Sequence, residues 1–299
     1  MNRIAYPVAS LLVIVVLLCL NTGRAEDEPA TSIATQQEST ESKPATIRWK
    51  FENDESITYE YSSSTHVEMS SDQDIEGVDP FDQKIDSESS GTLVFDPNNE
   101  GSAELTISVR PEAAKNNSDD SFSTSGPGAA QEIIEVKATY KSDGSIEAEN
   151  ERIADSVQSF LDMLFQMPEE ADIKPGKWWE KELDYLSRQD DSIKGKITTT
   201  FIGWEKQGES QLAKFEFTMT ISSHKSEGSA ELNMEFNGKG VWKFDTSRGK
   251  LFSSSFNYSF NTKVVADIPQ GPESDNQMTH MELTSNGNGK VDLKEKKTD

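Results

Sequence analysis

The chain has 299 residues, of which 33% are hydrophobic, and 53 acidic residues stand against 29 basic ones for a net charge of −24. Counting its 18 glycines as apolar raises that share only to about 39%, below the ~45–50% of ordinary soluble domains, which excludes a multi-pass membrane protein. So acidic a chain lacks the positive footprint that phosphate binding requires, which excludes nucleic acid as a partner, and it is repelled by anionic lipid.

The N-terminus reads as an address. After Arg3, thirteen apolar residues run from Val8 to Leu20, followed by Asn21-Thr22, the small-residue pattern Gly23-Arg24-Ala25 and acidic Glu26. This is the layout of a secretory signal peptide over residues 1–25, cleaved after Ala25. Export to the periplasm or the extracellular space is expected, with no integral membrane span after processing. Thirteen residues at ~1.5 Å each fall short of a ~30 Å hydrocarbon core, so a retained anchor is the alternative the pattern disfavours. Cys19, the single cysteine, leaves with the signal. The exported chain is then expected to have no disulfide and to rely on a hydrophobic core.

Residues 26–45 are polar and aperiodic, the composition of a disordered leader. From residue 46 the pattern changes, and a single β-rich domain is predicted over 46–293, with a charged tail at 294–299. Ile47, Trp49 and Phe51 alternate with polar residues as in a half-buried strand. Ile57, Tyr59, Tyr61, Val67 and Met69 share one parity while Glu60, His66 and Glu68 share the other. The same alternation returns at Ala103–Val109, Val136–Tyr140, Ala213–Ile221, Ala230–Phe236 and Phe252–Val264. One apolar and one polar face fit antiparallel strands with a single covered side. Asp143-Gly144 marks a tight hairpin, and Phe95-Asp96 before Gly101 matches Phe244-Asp245 before Gly249 as a second type of turn.

One segment has a helical period. Ile153, Val157, Phe160, Leu161, Leu164 and Phe165 line one face, Asn150 is a suitable N-cap and Pro168 a suitable stop, which predicts a helix over about 150–167 with Asp155 and Asp162 on its polar side. The fold class is therefore mainly β: an antiparallel curved sheet or open barrel with one packed amphipathic helix.

After this helix come Met167-Pro168, Lys174-Pro175-Gly176-Lys177-Trp178-Trp179 and the Gly-x-x-x-Phe-Asp-turn-Gly unit at 240–249. Together these resemble an uncharacterised family of exported bacterial proteins of planctomycete type, over most of residues 46–291. The resemblance implies a β-rich envelope or secreted domain and assigns no catalytic residue.

Three sets of residues are candidate sites. Thr65-His66-Val67-Glu68 and Thr279-His280-Met281-Glu282 repeat one pattern, and His and Glu two apart share a strand face. If the two strands were neighbours, His66, Glu68, His280 and Glu282 would converge on a metal. Asp72, Asp74 and Glu76 before Gly77 imitate the opening of a calcium loop, although Gln83 stands where a bidentate carboxylate is needed. Phe160, Phe217, Met219 and Met234, with Met163 and Met167, are candidates for holding an apolar ligand between sheet and helix, as exported lipid carriers do. Trp178, Trp179, Trp204 and Trp242 are candidate sugar-stacking residues. The chain has no Gly-x-Ser-x-Gly, His-Glu-x-x-His, P-loop or dinucleotide fingerprint. The expectation is thus a non-catalytic exported envelope or secreted protein without a cofactor, possible ligand lipid or otherwise apolar, protein partners unspecified. A carbohydrate-active hydrolase and a cation-binding adhesion or matrix protein are the alternatives.

Overall fold

The structure, a computed structural model, describes residues 45–51, 55–71, 82–98, 101–111, 115–116, 133–170, 172–208, 210–228, 230–269 and 278–296. The expected signal segment and nearly all of the expected leader lie outside the described residues, as does the Asp72–Gly77 loop.

The described strands are β1 (Ala45–Thr46), β2 (Ile57–Ser71), β3 (Asp82–Pro97), β4 (Ser102–Pro111), β5 (Lys115–Asn116), β6 (Ile134–Lys141), β7 (Ile146–Glu147), β8 (Asp172–Ile173), β9 (Trp178–Glu182), β10 (Ile193–Gln207), β11 (Ser210–Glu227), β12 (Ala230–Asp245), β13 (Lys250–Pro269) and β14 (Met278–Glu295). Two helices are described, α1 (Glu151–Asp162) and α2 (Asp184–Gln189). One sheet holds most of them, in the order β7-β6-β4-β3-β2-β14-β13-β12-β11-β10-β9, with β5 attached to β3 and a separate β1–β8 pair. All its pairings are antiparallel, as the one-sided alternation predicts. It consists of two meanders, β2 to β7 and β9 to β14, joined where β2 pairs with β14.

The sheet is strongly curved. Trp49 has the ring of Tyr140 on β6 at 5.6 Å and that of Phe244 on β12 at 5.9 Å. These strands are six steps apart in the sheet, ~29 Å on a flat one, yet their rings are within about 12 Å. Helix α1 completes the curl: it lies against β6 and β7 at one end of the strand order, while Asp162 at its C-terminus reaches Lys181 on β9 at the other. A twelve-residue helix, ~18 Å long, therefore spans the gap between the two edges, and the sheet is open, not a closed barrel.

The inner face is the apolar one. Tyr59, Leu93, Phe95, Leu105, Phe201, Phe215, Trp242 and Phe244 are almost completely buried at the end covered by α1. Farther along, large rings alternate laterally with glycines: Phe217, Gly240 and Phe256 share one row, Gly238, Tyr258 and Gly289 the next, and Phe260 stands beside Gly287. A side chain on Gly238 would strike the Phe256 ring and one on Gly240 the Phe217 ring, so these rings lie across neighbouring backbone.

Several expectations need correction. Ile47, Trp49 and Phe51 are buried as predicted, but not in a strand: Trp49 and Lys50 donate their backbone N–H groups to Ser142 and Gly249, outside any ladder. Helix α1 has the predicted Asn150 cap, whose side chain accepts from the Ile153 N–H at 3.0 Å. It ends at Asp162, before Pro168, because the Leu164 and Phe165 N–H groups both turn back to the Leu161 carbonyl, which drops these side chains into the core. A second helix, α2, was not predicted. Leu251 takes the core position expected of Phe252, because a bulge in β13 opposite Lys243 and Phe244 shifts the parity. Lys294 and Glu295, expected in the tail, pair with Glu60 and Tyr59, and Ala45, expected in the leader, pairs with Ile173.

The glycine rows yield a direct test. In Gly240→Val the added Cβ lies 2.2 Å from the Phe217 ring and 2.9 Å from the Ser255 carbonyl oxygen. Overpacking of this kind costs about 1–3 kcal/mol, expected as a lower urea midpoint at unchanged slope.

Candidate functional site

The inner-face rows beyond α1 form one continuous surface. Phe217 lies 5.3 Å from Phe256 with 9° between planes, Phe236 lies 5.3 Å from Tyr258 at 21°, and Phe256 lies 5.8 Å from Tyr258 at 26°. Rings nearly parallel at these separations tile a surface of low relief. The adjoining half of the face, on β14, β2 and β3, is lined by small residues: Gly289, Ser63, Thr65, Ser87 and Ser89. Tyr258 reaches over Gly289 to hydrogen-bond Thr65, and the Ser63 and Ser89 hydroxyls pair at 3.0 Å. Of the proposed apolar residues, Phe217, Met219 and Met234 belong to this surface. Phe160 does not: it sits on α1, edge-on to Tyr61 at 5.4 Å, while Met163 and Met167 pack beside the core.

The seam closed by α1 is apolar toward the core and polar toward β9. Val157 and Leu161 are buried in the core. Asp162, expected in water on the polar face, is 1% exposed; Lys181 donates to both its carboxylate oxygens at 3.1 Å and Gln158 donates at 2.8 Å. Burial pushes the Asp162 carboxyl above the usual carboxylate range, and Lys181 offsets part of that rise. Arg188 on α2 holds Asp155 and Glu151 of α1. Beyond the helix, Thr199 donates to Gln166 at 2.9 Å and Ser254 to the Leu164 carbonyl, which straps the following segment to β10 and β13.

The two His-Glu pairs do not meet. β2 and β14 are neighbours, as the metal site would need, but His66 is opposite Asn288, eight residues from His280 and ~27 Å along the strand. Glu282 pairs with Lys263 at 2.7 Å. His66 instead lies between Asp86, at 2.7 Å from Nδ1, and Glu68, at 3.3 Å from Nε2, with Lys84 donating to Glu68 at 2.8 Å. The hydrogen bond to Asp86, more than any other contact, raises His66 above its ordinary value of 6.5. Among the described residues no group of three or more His, Cys, Asp or Glu is arranged to hold a metal.

The tryptophans divide. Trp242 is fully buried with its ring 3.8 Å from Phe215, Trp179 and Trp204 are half-buried against Phe215 and Phe201, and Trp178 is exposed at the edge strand. Trp242 thus cannot stack on a sugar. Sequence reasoning missed the ring-and-glycine tiling, although Gly238-x-Gly240 and Gly287-x-Gly289 inside strand patterns signalled a close approach.

No protein-family model matches the chain, and no significant match to a curated protein was found. Among solved structures, the Pseudomonas aeruginosa OccK5 (OpdH) chain is similar at a TM-score of 0.25 and 6% identity, covering 81% of this chain and 99% of that one. A loop L8 deletion mutant of OmpT, an outer membrane protein of Vibrio cholerae, gives a TM-score of 0.11 at 8% identity, covering 80% and 99%. At these values neither likeness bears on function. Among the described residues no helix is long and apolar enough to cross a membrane.

Two titrations follow from the polar contacts. Because His66 binds its proton more tightly in the folded protein, it stabilises the fold most fully below ~6.5, the unfolded value, and that contribution disappears as pH rises through the folded value. The gap in melting temperature between wild type and His66→Gln should therefore be larger at about pH 6 than at about pH 9. Lys181→Met should cost about 2 kcal/mol at neutral pH, less than a fully buried pair because Lys181 keeps a third of its side chain in water. In that variant Asp162 takes up its proton more readily, so the loss should shrink as denaturation is repeated toward about pH 4.

Proposed function

We propose that this is an exported, non-catalytic envelope or secreted protein that shelters one apolar ligand against the ring-lined inner face. The observation that carries the reading is the tiled surface beyond α1, where Phe217, Phe256, Tyr258 and Phe260 lie flat over glycines and Phe236 stacks beside Tyr258. Apolar walls with few polar groups are what a hydrophobic ligand requires. The small residues of the adjoining half supply the complementary feature, since serines and glycines leave space where larger side chains would fill it. Export rests on the N-terminal pattern, and the likeness to the planctomycete-type family accords with an envelope address.

Uptake of a long-chain fluorescent probe tests the reading. Probe emission should rise with saturation on adding the protein, and Phe236→Asp, which puts a charge into the tiling, should abolish the rise while the far-ultraviolet dichroism stays that of a β-protein. Wild-type protein that takes up no probe, and that emerges ligand-free in native mass spectrometry when purified from its own source, would overturn it.

A further inference from the structure

Along β13 the inner-facing residues are Phe256, Tyr258, Phe260, Thr262 and Val264. Exposure rises in that direction: Phe256 is 0% exposed, Tyr258 and Phe260 are 9%, and Val264 is half-buried. On β11 the trend is the same, from Phe215 at 0% to Ile221 at 8%. The ring-lined face therefore has a deep end under α1 and a shallow end toward Thr262, where Met234 stands opposite on β12 and Ser285 on β14.

Thr262 is the anomaly on this path. It is 8% exposed, its hydroxyl oxygen is shielded from water, and among the described residues the hydroxyl has no hydrogen-bond partner. A buried hydroxyl left unpaired costs free energy that nothing in the fold returns, and such groups in native proteins call for a cause. The neighbouring inner-face hydroxyls are satisfied, Tyr258 by Thr65 and Ser223 by Ser192. Trp242 also has an unpaired N–H, but it is sealed beneath Phe215 and Phe165. Thr262 alone combines an unused donor with a place at the shallow end of the tiling.

We infer that the ligand is a single-chain amphiphile bearing an acyl carbonyl, its hydrocarbon lying along Phe260 and Tyr258 toward the buried Phe256 ring and its carbonyl oxygen accepting from the Thr262 hydroxyl. This rests on the reading that the face shelters an apolar ligand. Length agrees: the four residue steps from Tyr258 to Thr262 span ~13 Å, close to the ~15 Å that one acyl chain fills as half of a ~30 Å bilayer core. Polarity agrees as well, because the hydroxyls nearer the deep end are paired with one another, Ser63 with Ser89 and Tyr258 with Thr65, and the unused one lies where the head of a chain inserted tail-first comes to rest. A free fatty acid and an esterified acyl lipid share this chemistry.

Equilibrium dialysis of the purified protein against labelled hexadecanoic acid, methyl hexadecanoate and hexadecane separates the possibilities. One hydrogen bond to an otherwise unpaired buried donor predicts that the two carbonyl compounds bind about tenfold more tightly than the alkane. Thr262→Val, of nearly the same shape, should reduce both to the level of hexadecane without weakening hexadecane binding or lowering the melting temperature, and Thr262→Ser should restore them. Tighter binding of the acid than of the ester assigns the head to a free fatty acid; equal or weaker binding assigns it to an esterified lipid. A valine variant that keeps the tenfold preference overturns the anchor while sparing the carrier reading. A wild-type protein that retains none of the three compounds overturns both.

Discussion

The indole of Trp49 sets the curl on which the other features rest. Rings of Phe51, Tyr59, Phe95, Tyr140, Phe165 and Phe244 surround it at 4.9–6.3 Å, drawn from its own segment, from both meanders and from the segment after α1. Aromatic pairs add ~0.5–1.5 kcal/mol each beyond their buried area, and here one side chain collects six of them without belonging to the sheet. With Trp49 at the centre, strands far apart in the ladder have to turn toward one another. A helix of three turns can then close the remaining gap.

Curling brings inner side chains into competition for space, and the glycines resolve it. Glycine inside a strand costs up to ~1 kcal/mol relative to alanine, whereas burying a phenylalanine returns ~1.5–3 kcal/mol. Exchanging one neighbour for glycine so that a ring can lie down is therefore favourable at Gly240 and at Gly289, where Phe217 and Tyr258 occupy the vacated space. The result is a set of rings that lie along the sheet in place of upright side chains.

What the chain revealed before its structure was known follows physical range. Alternation of Ala213 to Ile221, or of Leu105 and Ile107, is a local consequence of the pleat, and it named the core faces correctly. The period from Ile153 to Leu161 did the same for α1, because the helix repeat needs no distant partner. Asp162 was misplaced because periodicity assigns a direction and says nothing of β9 and α2 lying there. The six-residue α2 is too short for a period to declare itself. His66 and His280 failed as a pair for a related reason: adjacency of their strands was foreseeable, but register is fixed by the whole β2–β14 ladder. Trp49 shows the limit from the other side, since its alternation with Ile47 and Phe51 predicted burial correctly although it lies in no strand.

The joint between the meanders has a consequence for how the protein is made. Each meander zips up from hairpins between successive strands, but β2 can be covered on its second side only by β14, with Tyr59 finding Glu295 across more than two hundred residues of chain. Pairings this distant in sequence are slow, because the entropy of closing so long a loop is spent before any contact rewards it. Until residues 278–295 have been made, the first meander ends in the bare edge of β2. The seam between the two meanders is thus the last part of the sheet to form, however early its hairpins close.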